Sequence, residues 1–504
     1  MRAKEMSLFI DFRARVSSLL VRFNLPSSVS FLFLFILASI PTQYRYRKWF
    51  RPLAEALSSK MEALPAYFEK SIYYCISDVA IIVLFLLLLF YRRIEGKKMI
   101  WEGSAKFLTA FLIVSLLSIT LSSQYYYPIH YIRLIQFFTP CLLFYLLAQG
   151  CEIKDISSFL KKGFVCIALA GAFQASVGIS QYYKQDSVGL KKLGEMSLHS
   201  SHPHLASIPL EDKTESLLTP QETRPKVLLR AHGTFVHPNV LGGFLVFSLI
   251  ASYALFFRME HVWARRCVLL AILLQIATLF LSFSRSALFA WVLGSLCFFI
   301  LYPKTEMQGS ISYKELFFGK RLSRYRTLLL SVCLFLAGSF FLFYPQIKQR
   351  GGIVNYNRIA KGSDKERIKY QEISFTMIKE NPLLGVGFNC FVPSMQKYSK
   401  EPLSYYQFQP VHNAFLLLLA ETGLVGGALF ILFCGSTFVS LVRSQLDVYA
   451  VVLISIFVGY VFISCCDFYF VAFSSGKLMF FSLLGLMAFY TKKQRTCDNR
   501  EKTS

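Results

Sequence analysis

Long apolar runs, broken at short intervals by polar turns, dominate the hydrophobic pattern of this chain. A helix rising 1.5 Å per residue needs about 20 apolar residues to cross a ~30 Å hydrocarbon layer. Runs of that kind lie near 27–42, 72–91, 105–123, 129–149, 163–183, 238–257, 267–283, 286–302, 327–345, 411–440, 449–466 and 476–491. The pattern predicts an all-α polytopic membrane protein of about twelve transmembrane helices, a single integral domain over residues 1–504. The first run is short and the tenth is long. Between 346 and 410 the pattern changes: Ile368, Ile373, Met377 and Ile378 recur at helical spacing, Asp364 can cap the start, and Asn381-Pro382 ends the run. That stretch predicts an amphipathic helix lying over the outer ends of the bundle. No fixed-period repeat or low-complexity tract is evident.

Composition agrees: 55% of residues are hydrophobic, including 50 Phe and 27 Tyr, with a mean hydropathy of +0.47. Lysines and arginines of short loops mark the cytoplasmic side. They crowd at Arg92, Arg93, Lys97 and Lys98, at Arg258, Arg265 and Arg266, at Lys314, Lys320, Arg321, Arg324 and Arg326, and at Lys492, Lys493 and Arg495. The turns QYYYP at 124–128 and DFYFVAFSS at 467–475 have none. Both termini are therefore expected inside, with 43–71, 184–236 and 346–410 exported as longer external loops. These loops are also basic, and the net charge is +25. An anionic partner at the outer leaflet or the lipid head groups themselves would meet that surface; no nucleic-acid partner is expected. Cys141, Cys166, Cys267, Cys297, Cys333 and Cys434 fall within predicted spans, and Cys390 alone sits in a long external loop, so a disulfide framework is not expected.

With orientation fixed, Asp78, Arg133, Gln181, Arg285, His412 and Asp467 all fall at the outer ends of spans. Polar groups near hydrocarbon are costly, so such convergence reads as a site. His412 and Asn413 stand at the mouth of the long tenth run, in PVHNAFLLLLAETGLVGG at 410–427. Arg285 sits in the turn Ser282-Phe283-Ser284-Arg285-Ser286 between two spans, where a guanidinium among hydroxyls suits bidentate capture of phosphate oxygens. Arg230 and Arg367 are further candidates, each equally readable as a solvated loop charge. In RAHGTFVHPNVLGGFL at 230–245, Gly233 permits a turn, Pro238 suits a first helical turn and Asn239 can satisfy free amides there. His232 and His237 lack a nearby carboxylate and read weakly as metal ligands; structure is favoured for His237, and His232 stays open. Glu421, nine residues past His412, would lie ~13.5 Å deeper on the opposite face of an ideal helix, either as a proton-path residue or as a carboxyl bonded to backbone near Gly423, Gly426 and Gly427.

Taken in order, HGTFVHPNVLGGFL, SFSRSALFAWVLG, ENPLLGVGFNCF, VHNAFLLLLAETGLVGG and CCDFYFVAFSSGKLMFFSLLGL resemble the O-antigen ligase family, which includes O-antigen polymerases and protein O-oligosaccharyltransferases. The resemblance spans about 160–490 and implies a GT-C-like membrane glycosyltransferase. Its donor would be an undecaprenyl-diphosphate-linked glycan, and its acceptor a lipid or glycan hydroxyl outside the inner membrane. The family's histidine maps onto His412 and its phosphate-binding arginines onto Arg285, Arg230 and Arg367, with Asn413, Asp467, Asn239 and Glu421 in support. Asp467 is a candidate to orient His412. The chain has no Asp-x-Asp motif to hold a divalent cation, so transfer without metal or cofactor is expected. A polymerase, a protein O-oligosaccharyltransferase or, in another class, a transporter of lipid-linked glycan are the alternative readings.

Overall fold

The structure, a computed structural model, describes residues 25–42, 75–95, 103–122, 128–149, 153, 155–198, 207–209, 227–306, 323–344, 358–404 and 407–501. The predicted external loop 43–71 lies outside the described residues. Helices occupy each of the twelve apolar runs: α1 (Leu25–Ala38), α2 (Ile76–Glu95), α3 (Ala105–Ser122), α4 (Pro128–Ala148), α5 (Ile156–Lys184), α6 (Pro238–Arg258), α7 (Val262–Leu281), α8 (Arg285–Glu306), α9 (Ser323–Leu342), α12 (Ala414–Val442), α13 (Val448–Cys466) and α15 (Ser474–Glu501). Among the described residues, eight helices are long and apolar enough to cross a membrane, and α1 to α3 contribute shorter apolar stretches. The protein is thus an all-α polytopic membrane protein in architecture.

Between α9 and α12 run α10 (Arg358–Glu380) and α11 (Phe391–Tyr398), and the four-residue α14 (Tyr469–Ala472) follows α13. Helix α10 ends before Asn381-Pro382 as the sequence predicts, but it begins at Arg358, so Asp364 lies inside it and is no cap. Its packed face carries Tyr370, Ile373 and Met377, while Ile368 is exposed. One departure from an all-helical reading is a small antiparallel pair, β1 (Ser207–Pro209) with β2 (Val227–Leu229). Three-residue strands are too short to show the two-residue period on which strand prediction relies.

Helix α6 is apolar on all sides, and such a helix is stable only when surrounded. Its span is wholly buried, walled by α5, α7, α8 and α13. Capping residues fix where helices begin: Asp155 accepts the Ser158 amide at α5 (3.0 Å), and Asp447 accepts from Tyr449 and Ala450 at α13 (2.8 and 2.9 Å). At the end of the bundle away from His412, Arg92 donates to the Gln149 side chain (3.0 Å) and Lys492 to its carbonyl (3.1 Å).

Helix α12 is not continuous. Gly423 interrupts it at φ 66°, ψ −173°, and the chain of residues 382–391 docks into the break. Val386 and Gly387 amides donate to the Ala420 and Glu421 carbonyls (2.9 and 3.0 Å), and the Leu424 amide donates back to Pro382 (2.8 Å). A Cβ on Gly385 would lie 2.5 Å from the Ala420 carbonyl oxygen, and one on Gly423 would lie 2.2 Å from that of Leu383. Two backbones can approach this closely only because neither position carries a side chain. The ENPLLGVG and ETGLVGG segments, separate in sequence, are the two halves of one joint.

Candidate active site

The segment from Arg230 to His237 is irregular backbone that is almost wholly buried, so its amides and carbonyls need partners. Two glutamines of α5 provide them. Gln181 Oε1 accepts from the His232 and Gly233 amides (3.1 and 2.8 Å), and its Nε2 donates to the Gly233 carbonyl (2.8 Å) and to Glu195 (2.8 Å). Two turns earlier, Gln174 accepts from the Thr234 amide (2.8 Å). The Thr234 hydroxyl donates to the Pro41 carbonyl after α1 (2.7 Å), and the Ala231 amide to Leu281 at the end of α7 (3.0 Å). Glu195 in turn gathers the amides of Val188 (2.6 Å), Gly189 (2.8 Å) and Leu190.

So fastened, the loop aims Arg230 inward. Contrary to the reading as a solvated loop charge, Arg230 is 3% exposed. Its Nε donates to the Ser282 carbonyl (2.7 Å) and its Nη2 to Asn239 Oδ1 (2.9 Å). The capping role at α6 belongs to His237, whose imidazole accepts the Asn239 amide (3.1 Å). The Asn239 side chain is thereby free to bridge: its Nδ2 donates to Asp467 Oδ2 (2.9 Å). Asp467 Oδ1 takes the Phe468 amide (2.8 Å) and faces His412 Nδ1 at 3.6 Å, slightly beyond hydrogen-bond range. A chain Arg230–Asn239–Asp467–His412 therefore links three loops and ends on an imidazole whose side chain is 24% exposed. The Phe468 ring packs edge-on against that imidazole, with centroids 5.2 Å apart.

Burial by itself would push the Asp467 carboxyl up, but the neighbouring His412, the amide of Asn239 and the nearby His237 together hold it below its ordinary 3.8. The carboxylate is thus the favoured form of Asp467. His232 is sealed beneath the loop with Nδ1 2.7 Å from the Arg230 carbonyl, and burial pushes its pKa down to about 4. A neutral, buried imidazole bonded to backbone is a loop anchor, which settles the role that sequence left open.

Asn413 caps α12 by accepting the Leu416 amide (2.9 Å), placing His412 immediately outside the helix. Arg285 begins α8, exposed, with no hydrogen bond or ion pair among the described residues. Its turn depends on Phe283, held at φ 47° by burial against Tyr182 and Phe343. Arg367 of α10 lies within electrostatic reach of Cys466, next to Asp467. Glu421 is buried beside the α12 break and accepts the Phe391 amide (3.3 Å). Of the rim set read from sequence, Gln181 fastens the loop and His412 meets Asp467, whereas Arg133 and Asp78 line two neighbouring cavities that both reach Lys477. Sequence reading missed Gln174, Glu195 and the Ser282 carbonyl. The only trace of the first was a glutamine two helical turns ahead of Gln181 in an otherwise apolar span. Among the described residues no group of three or more His, Cys, Asp or Glu side chains is placed to hold a metal ion.

Fold and site together define a polytopic helical membrane protein with a histidine–carboxylate centre at one end of its bundle. The family model described as O-antigen ligase matches residues 270–431, and over that segment the chain is similar to the O-antigen ligase family. The match contains Arg285, Arg367, His412, Asn413 and Glu421; Arg230, Asn239 and Asp467 lie outside it and reach the centre through the fold. No curated protein matches the chain.

Proposed function

We propose that the protein is a metal-independent glycosyltransferase of GT-C-like architecture. It moves a glycan from an undecaprenyl-diphosphate carrier to an acceptor hydroxyl at the outer face of the inner membrane, with both termini cytoplasmic. The observation that carries this reading is the polar chain from buried Arg230 through Asn239 and Asp467 to half-buried His412. A carboxylate so held favours the proton on Nδ1 of the imidazole, which leaves Nε2 as the base. His412 Nε2 takes the acceptor's proton while its oxygen bonds to the anomeric carbon. The bond from that carbon to the diphosphate breaks, and the diphosphate keeps the electron pair. One displacement inverts the centre. Asp467 stabilises the imidazolium that results, and Arg230, with two nitrogens committed to protein, acts by positioning. Arg285 and Arg367 meet the charge gathering on the departing diphosphate; losing one such contact typically costs ~10²- to 10³-fold in rate.

The test is His412→Ala in the purified, membrane-inserted protein. Lipid-diphosphate binding should persist while transfer falls by at least ~10²-fold, and the wild-type rate should fall as acid protonates the imidazole, a limb missing from residual mutant activity. Wild-type turnover unchanged in EDTA supports the metal-free reaction. Near wild-type turnover by His412→Ala would remove the base.

A further inference from the structure

Lys477, near the start of α15, is 8% exposed and has neither a hydrogen bond nor an ion pair from its ammonium among the described residues; the Phe137 ring lies beneath it, with the nitrogen 6.0 Å from the centroid. A buried charge without a partner is strongly disfavoured unless something outside the chain completes it. Lys477 borders a cavity of about 90 Å³ together with Arg133, Asn389 and Glu421. Arg133 reaches it from α4, steadied by Gln136 (3.3 Å). Asn389, held at φ 60°, carries a side-chain nitrogen that is buried without a hydrogen-bond partner. Two cations and an unsatisfied amide donor thus converge from α4, α15 and the segment docked into the α12 break. Glu421 turns its carboxyl to the Phe391 amide (3.3 Å). Asp78 lines not this cavity but a neighbouring one that it shares with Lys477; its carboxyl accepts the Cys75 amide (2.9 Å), stands beyond ion-pair distance from Lys477 and still acts on it electrostatically. At ~10–15 Å³ per water-sized group, the cavity has room for a compact tetrahedral oxyanion. It adjoins the histidine centre, since Pro410 precedes His412 by two residues and Val471 follows Asp467 by four, and both form its wall.

We propose that Lys477, Arg133 and Asn389 form a second, buried phosphate-binding subsite beside the His412 centre, which takes a phosphoryl group of one of the two substrates. The origin of that phosphoryl group, donor diphosphate or phosphorylated acceptor, rests on the glycosyl-transfer reading; the binding itself does not.

The experiment uses the full chain in neutral phosphatidylcholine nanodiscs, with thermal unfolding and calorimetry against inorganic pyrophosphate and a chloride control of equal ionic strength. Pyrophosphate should stabilise the wild type saturably. Lys477→Met should weaken that response by at least ~10-fold, since a hydrogen bond to a charged group is lost, and Lys477→Arg should restore most of it. Without ligand, Lys477→Met should be at least as stable as wild type, because an unpaired buried charge is removed. A Met variant that is destabilised yet shows the wild-type pyrophosphate response would make Lys477 a structural residue and overturn the subsite. In the transfer assay, a raised KM for the lipid diphosphate assigns the group to the donor, a raised KM for the acceptor assigns it to the acceptor, and unchanged values for both count against the proposal. A wild type that binds pyrophosphate but transfers nothing would count against glycosyl transfer and leave the subsite standing.

Discussion

Asn239 is the residue on which the centre turns, because its amide uses both ends: the oxygen takes Arg230 and the nitrogen gives to Asp467. Asn239→Ala leaves a guanidinium nitrogen and a carboxylate oxygen short of partners, which should cost about 1–3 kcal/mol of stability. Turnover should fall while donor affinity holds, a split that steady-state kinetics and a melting curve would show together. For Asp467 the sign of the pH effect is fixed by its lowered value: the stabilisation is fully present above its ordinary 3.8 and disappears only as pH falls through the lower folded value. An acid limb in transfer nearer neutrality is therefore not that of the Asp467 carboxyl. Asp467→Asn should lower the rate and keep that limb; a variant that loses the limb would show that the carboxyl itself titrates there. Arg285 poses a question of shape. Exposed at the start of α8 with no protein partner among the described residues, it should lose donor affinity as Ala and recover only part of it as Lys, because an ammonium lacks the planar fork. Equal activity of all three proteins would reduce Arg285 to a rim anchor.

Among the elements, the joint between the broken helix α12 and the 382–391 segment bears the most strain if altered. An alanine at Gly423 or Gly385 must accept a left-handed φ, at ~1–2 kcal/mol, and also push its Cβ into backbone 2.2 to 2.5 Å away. Each substitution should lower the melting temperature. Because the two residues face one another across the same joint, the double variant should cost less than the sum of the singles; additive losses would show that the joint is not a unit. The 230–237 loop makes a different prediction. His232 has a folded pKa of about 4 against 6.5 unfolded, so the unfolded chain binds its proton first as pH falls. Stability should decline from about pH 6.5 and level off near pH 4, by an amount of the order of 3 kcal/mol at ~1.4 kcal/mol per pH unit. His232→Gln, which keeps a donor for the Arg230 carbonyl, should flatten that decline in a series of melts.

At the scale of the whole molecule, the polar centre gathers at one end of the bundle, and of the basic clusters the described Arg92, Arg258, Arg266 and Lys492 lie at the other. Helix α7 shows the relation: Arg266 lies in its first turns, and its last residue precedes Ser282, the acceptor of Arg230. In a variant lacking all twelve cysteines, a cysteine at exposed Lys400 should react with a membrane-impermeant maleimide in intact cells, and one at exposed Arg266 only after permeabilisation. The reverse pattern would place the His412 centre on the cytoplasmic side and end the case for a lipid-linked donor presented outside.

The sequence alone determined what depends on neighbours along the chain. Apolar runs of sufficient length become helices wherever water is excluded, so all twelve coincide with helices; the Asn381-Pro382 stop ends α10; and His412 stands at a helix mouth because Asn413 caps it. Those signals are local, and so they were legible. Tertiary structure decided everything that depends on partners brought from far away. Arg230, indistinguishable in sequence from a solvated loop charge, is buried because Gln174 and Gln181 hold its loop beneath the rim. Glu421, placed by ideal helical phase on a face opposite His412, lies in a helix that Gly423 breaks, and no periodicity announces a break that another segment must fill. Lys477 was one cation at the start of an apolar run; only the packing of α4, α15 and the docked segment shows that it is buried with no hydrogen bond or ion pair from its ammonium among the described residues. Burial and hydrogen bonding are properties of pairs, and a sequence names the members of a pair without bringing them together.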